Sequence, residues 1–296
     1  VSAVERLTDP VDAVGESPVW RASEGALYWT DITARRIHRL HLASGRRDTW
    51  SLPEMAGCFA FDRRGGLIAG MQTGIFSLAL EQGGGVLAAP LAAPDWTLES
   101  MRFNDGRCDR QGRFWAGTME MNIPAARPVG ALFRYDARGL SGPHEAGLLT
   151  QNGLAWSPEG DRMYLSDSHP RARAVWVFDY DRDAGLPRNR RVFVDMRDWP
   201  GRPDGAAVDA DGCYWTCSND AGEVVRLTPQ GVVDRRVALP VRKPAMCAFG
   251  GPDYATLFVT SIRPQAAEDQ AGQPLAGSVF AVSTGARGLP EPEFGG

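Results

Sequence analysis

Four oxygen-bearing side chains stand at matching distances ahead of a recurring aromatic residue. Glu16 and Asn152 precede Tyr28 and Tyr164 by 12 residues, and Asn104 and Asp204 precede Phe114 and Tyr214 by 10. Two carboxylates and two amides drawn to one poorly solvated place are costly, because like charges repel there, unless a cation sits among them. The donors are all oxygen, with no paired His or Cys, so such a centre is hard: Ca²⁺, Mg²⁺ or Mn²⁺ suit it, with Zn²⁺ or Fe²⁺ as further occupants. Asn-Gly, Asp-Gly and Asn-Asp-Gly are also turn formers, which accounts for any one of these positions taken alone. Turn chemistry does not call for Glu16.

The elements that must bring these residues together are short strands. The segments LYWTD (27–31), LIAGM (67–71), RFWAGT (113–118), MYLSD (163–167), CYWTCS (213–218) and LFVTS (257–261) recur about every 46 residues, each soon after a turn rich in Gly, Asp or Pro. A second strand follows most copies, as in GALFRYDARG and GEVVRLTPQG, and another precedes them, as in GLAWSP and GAAVDAD. This period, with almost no helical periodicity, fits the four-stranded blade of a β-propeller, and six copies predict an all-β, six-bladed propeller formed by residues 1–296 as one domain. A pair of β-sandwiches would also show many short strands, but the rhythm runs from Gly15 to about Gly285 with no linker at its middle. In a propeller the first strand of each blade lines the central channel, so equivalent positions converge there. The ring is expected to close through an outer strand around Ala3 to Leu7, added to the blade that contains Gly277 to Ser283, which removes an exposed edge.

Composition narrows the function. The chain has 296 residues, 43% hydrophobic and 23% charged, the balance of an ordinary folded protein. Its formal charge is −4 and it has no basic run, so nucleic acid is not an expected partner. No stretch approaches the roughly 20 apolar residues of a membrane span, and the start lacks the pattern of a signal peptide, so a cytoplasmic protein is expected. Cys58, Cys108, Cys213, Cys217 and Cys247 are odd in number and form no CxxC pair, which predicts free thiols. Lys243 is the only lysine among 32 basic residues, a sign of a GC-rich genome that by itself says nothing about chemistry.

The segments GESPVW, RFNDGRCDRQGRFWAGTM, NGLAWSPEGDRMYLSDS, PDGAAVDADGCYW and FGGPDYATLFVT resemble the SMP-30/gluconolactonase/regucalcin family, in that family's order and over nearly the whole chain. The resemblance implies a six-bladed propeller with one divalent metal at the top of its channel, and hydrolysis of a sugar-derived lactone. Carried over by motif, the metal ligands are Glu16 in GESP, Asn152 in NGLAW and Asp204 in PDG, and Asp204 is also the catalytic proton acceptor. Arg102 and Asn104 in RFND match substrate-binding residues, with Asn104 close to the metal or its water. Glu120 is the nearest candidate for an acidic residue that reaches the substrate in many members. Met101 stands where members often have Asn, which implies a different pocket edge and hence a different sugar.

Rival readings are a phosphotriesterase-like hydrolase and a non-catalytic Ca²⁺-binding regulatory propeller. No GxSxG elbow is present for a serine-esterase route, and the Gly83 to Gly85 stretch lacks the strand, loop and helix of a phosphate loop. His38, His41, His144 and His169 show no metal-ligand spacing; charged neighbours predict that His38 and His41 face solvent, and His169 is placed on a loop near the channel mouth.

Overall fold

Each repeat folds into one four-stranded antiparallel sheet in a computed structural model that describes residues 3–295. Five sheets run in simple chain order through residues 15–51, 56–92, 101–148, 151–195 and 202–238. The sixth comprises strands Pro244–Gly250, Thr256–Ser261 and Phe280–Ser283 and takes its outer strand from Val4–Arg6 at the other end of the chain. That strand pairs Val4 with Val282 and Arg6 with Phe280, and Leu7 N–H donates to Val279 C=O at 2.8 Å. The ring therefore closes as the terminal residues lead one to expect, with the first strand of the chain and the last, Phe280–Ser283, paired in one blade. First strands of neighbouring sheets touch all the way round, which makes the fold a six-bladed β-propeller. Among the described residues the only α-helix is Ala267–Ala271, and none is long and apolar enough to cross a membrane.

The blades are held by the apolar faces of adjacent sheets. Trp215 and Val224 of the fifth blade pack with Phe249, Leu257 and Phe280 of the sixth, and Tyr28 and Trp50 of the first pack with Phe59 and Leu67 of the second. These strand residues are aromatic, β-branched or leucine because each sheet has a neighbour on both faces. All five cysteines are buried and free.

The turn joining the first two strands of a blade is built by a repeated aspartate. Asp209 Oδ1 accepts the N–H groups of Asp211 and Cys213, while Oδ2 accepts Trp215 Nε1 at 2.8 Å and Arg226 Nε at 2.8 Å. Asp109 does the same in the third blade for Gln111, Arg113 and Trp115, and adds the Tyr180 hydroxyl at 2.6 Å. Gly112 and Gly212 complete the two turns at φ of 87° and 79°, a region open to glycine. Asp209 is fully buried. Replacing it with Ala leaves four donors short of an acceptor, and we expect a loss of about 2–4 kcal/mol in chemical denaturation. A change below about 0.5 kcal/mol would mean that the turn holds without its carboxylate.

Every innermost strand carries a register shift at the same level. The irregularities fall between Glu16 and Val19, Ala56 and Cys58, Phe103 and Gly106, Asn152 and Ala155, Pro203 and Ala206, and Pro244 and Cys247. A bulge inserts an unpaired residue and re-aims the side chains beside it. Ser17 and Gly153, next to Glu16 and Asn152, accordingly have positive φ, 50° and 62°. Gly57 answers to a different need: a Cβ there would lie 2.4 Å from the Asn104 carbonyl oxygen, so only glycine lets the second and third blades meet at this level.

Candidate metal and substrate site

Because the bulges of four different blades lie at one level, Glu16, Asn104, Asn152 and Asp204 all face one cavity of about 1030 Å³ at the end of the channel where the first strands begin. All four are buried. Arg102, at the start of the same strand as Asn104, lines the cavity as well.

Their hydrogen bonds separate the four oxygens into two kinds. Asn152 donates Nδ2 to Ser168 Oγ at 2.6 Å, which turns its Oδ1 away, and that buried oxygen has no partner. Glu16 receives only a weak bond from its neighbour's backbone, Ser17 N–H at 3.4 Å. Asp204 accepts Asn219 Nδ2 on Oδ2 at 2.6 Å. Asn104 differs, since its Oδ1 accepts Arg102 Nη1 at 2.7 Å and its Nδ2 donates to Gln151 C=O at 2.7 Å. Asn104 is committed to holding Arg102, while Glu16, Asn152 and Asp204 keep unspent oxygen.

Electrostatics give the same division. Burial, then the nearby Asp204 and Asp105 carboxylates, hold Glu16 well above the usual range, with Arg102 only partly offsetting them. Burial also raises Asp204, opposed by Arg202 and by the Asn219 hydrogen bond. Burial pulls Arg102 down to about 10, so it is still charged at neutral pH. Two desolvated carboxylates, only partly offset by Arg102 and Arg202, and an orphaned amide oxygen are what a hard divalent ion relieves. No group of three or more His, Cys, Asp or Glu suited to a metal occurs among the described residues. An ion held here would need the amide oxygen of Asn152 beside the two carboxylates. If the set holds a divalent ion, thermal stability rises with its concentration, by about 4 °C at a hundredfold excess over Kd for a chain of this size. The shift should shrink in a Glu16→Gln protein, and an equal shift in that variant would remove Glu16 from the set.

The other expected residues lie elsewhere. Glu120 does not line the cavity: its carboxylate bonds Arg127 and Ser100, while Met119 and Met121 on either side of it line the wall, as the two-residue period of a strand requires. Met101 is buried outside the lining. His38 is buried rather than solvent-facing, with Thr49 Oγ1 at 2.9 Å and Asp12 Oδ1 at 3.4 Å, because both faces of its strand are covered, Ile37 on one side and His38 with Leu40 on the other. His169 is buried in a turn, where Nε2 meets the Ile123 carbonyl and Nδ1 accepts Arg171 N–H. Ser168 and Asn219, which orient Asn152 and Asp204, stand 16 and 15 residues after them in sequence, near the end of the next strand. That repeated offset is the signal by which aligned repeats could have located them.

The family model for the SMP-30/Gluconolactonase/LRE-like region matches residues 14–263 of this chain. A 6-deoxy-6-sulfogluconolactonase of Pseudomonas putida is 42% identical over 284 residues, 96% of this chain and 95% of the relative. A pentonolactonase of Haloferax volcanii is 32% identical over 293 residues, 97% of each chain. Among solved structures, a calcium-binding protein described as regucalcin from Agrobacterium tumefaciens superposes with a TM-score of 0.92 at 27% identity, covering 99% of this chain and 97% of that one.

Proposed function

Because the chain belongs to the SMP-30/gluconolactonase/LRE-like family, we propose that it hydrolyses a sugar-derived lactone to the aldonic acid with the help of one divalent cation. The observation that carries this reading is the convergence of two buried carboxylates, one orphaned amide oxygen and a charged guanidinium on a single cavity. The names of the Pseudomonas and Haloferax relatives both describe the opening of a sugar lactone, and their alignments span nearly all of this chain, which supports the same reaction class here. The calcium-binding description of the Agrobacterium structure supports a divalent ion.

Glu16, Asn152 and Asp204 would hold the ion, which when bound supplies Lewis acidity toward the lactone carbonyl and makes water more acidic. Arg102 is pre-set by its bonds to Asn104 Oδ1 and to the Phe103 carbonyl at 2.8 Å, and its remaining N–H groups serve ring hydroxyls or the carbonyl oxygen. Asn104 positions that guanidinium. Asp204 takes the proton of the attacking water, and Asn219 fixes the orientation of its carboxylate for that task.

Acid release from lactones of glucose, galactose, arabinose, xylose and rhamnose, corrected for spontaneous opening, tests the reading. At least one lactone should open faster than its background in the presence of a divalent ion. Turnover of an organophosphate with none of the lactones would replace the proposal by phosphotriester hydrolysis. Ion binding without either activity would leave a regulatory propeller.

A further inference from the structure

One wall of the cavity is cationic in a chain whose net charge is −4, and we infer that it receives an oxyanion, a sulfonate or a phosphate, carried on the lactone away from its carbonyl. The inference rests on the lactonase reading. Arg102, Arg202, Arg242, Lys243 and Arg263 line the cavity against Glu16, Asp204, Asp220 and Asp269. With Glu16 and Asp204 assigned to the divalent ion and Arg102 to the lactone ring, four cations, Arg202, Arg242, Lys243 and Arg263, face two carboxylates, Asp220 and Asp269.

The pairing within this wall leaves charge unspent. Asp220 is shared, with Arg202 Nε at 2.8 Å and Lys243 Nζ at 3.6 Å. Arg242 and Arg263 form no ion pair among the described residues, and Arg263 meets only the neutral Gln270 Oε1, at 3.1 Å. A cluster of like charges at a concave surface repels itself and focuses a positive potential that an anion relieves.

The wall is continuous with the proposed reaction centre. Asn219, which donates to Asp204, also accepts Arg202 Nη2 at 3.2 Å. From Arg202 the connection passes through Asp220 to Lys243, whose carbonyl accepts Ile262 N–H at 2.9 Å, and so to the neighbouring Arg263. Arg242 is anchored through its own N–H to Gln273 Oε1 at 3.0 Å. One substrate can therefore span both, and the cavity exceeds what a lactone ring alone fills.

Lys243 adds a second observation. A chain that otherwise uses only arginine for its 32 basic residues has its single lysine on this wall. An ammonium is a compact point charge with three donors, which complements guanidinium forks around a tetrahedral or pyramidal oxyanion.

The test compares kcat/KM for glucono-lactone, its 6-deoxy-6-sulfonate and its 6-phosphate. The anionic lactones should exceed the neutral one at least tenfold, through KM, and the advantage should fall as salt rises. In Arg242→Gln/Arg263→Gln, whose replaced side chains are exposed and outside any ion pair of the described residues, the fold should hold, and the ratio of anionic to neutral kcat/KM should drop toward 1. The sulfonate and phosphate arms decide which oxyanion fits. A readout apart from turnover is protection of Lys243 from acylation by an N-hydroxysuccinimide ester, with 6-deoxy-6-sulfogluconate as the probe, because only one lysine side chain can carry the tag. Lactone opening with no anionic preference and no protection overturns the inference and leaves the lactonase reading standing. Protection of Lys243 with no lactone opened overturns the lactonase reading and with it the anionic lactone as substrate, leaving the wall as a binding site for the free oxyanion.

Discussion

Asp204→Asn is expected to leave a folded propeller that opens its lactone at least about 10²-fold more slowly. The substitution preserves size and hydrogen-bonding capacity at the Pro203 to Ala206 bulge, so the strand has no reason to rearrange. What changes is the direction of the oxygen. Asn219 Nδ2 donates to this side chain at 2.6 Å, so an amide at position 204 must turn its carbonyl oxygen toward Asn219 and its own NH₂ toward the cavity. An NH₂ there accepts no proton and gives no lone pair to a cation, and both proposed tasks of the residue fail together. Circular dichroism and the melting temperature check the fold, and kcat, net of spontaneous opening, checks the chemistry. A folded Asp204→Asn protein with near-normal kcat would reduce the residue to a turn former.

Exhaustive chelation is expected to bring lactone opening down to the spontaneous rate, and several divalent ions should restore it to different extents. The donors at Glu16, Asn152 and Asp204 are all oxygen, and oxygen sites discriminate weakly among hard and borderline ions. Without the ion, Glu16 and Asp204 keep only the partial compensation of Arg102 and Arg202, so the centre loses its electrophile and the ordered charge around it. Elemental analysis must show the protein metal-free before the rate is read. Undiminished turnover in such a sample would remove the ion from the reaction and leave Arg102 and Asp204 to act alone.

The repeat was legible because its cause is local. Strand residues such as Tyr28, Phe114, Tyr164 and Tyr214 recur with the Gly and Asp turns between them, since each blade solves the same packing problem against two neighbours. Glu16, Asn104, Asn152 and Asp204 were legible for the same reason: equivalent repeat positions come to one level of a ring. Glu120 shows where such reasoning stops. Its neighbours Met119 and Met121 reach the cavity and it does not, and a one-residue change of register would reverse the three. His38 shows the converse, a polar residue read as exposed that lies on a strand covered on both faces.

The sequence by itself determined the six blades, the closing strand at the N-terminus, the free cysteines and the oxygen-rich set before the third, fourth and fifth repeats and at Glu16. Each follows from short-range pattern, and period survives whatever the blades do to one another. Only the tertiary structure decided that Asn104 secures Arg102 while Asn152 keeps a free oxygen, because that division hangs on Ser168 and on the Gln151 carbonyl, groups brought up by other strands. It alone placed Arg202, Arg242, Lys243 and Arg263 on one wall, since the start of the fifth blade's first strand and the segments flanking the sixth blade's first two strands meet only when those two blades pack together. Period and turn chemistry are written along the chain, whereas the direction of a side chain at a bulge is set by the hydrogen-bond partners that the next strand or the next blade brings up to it.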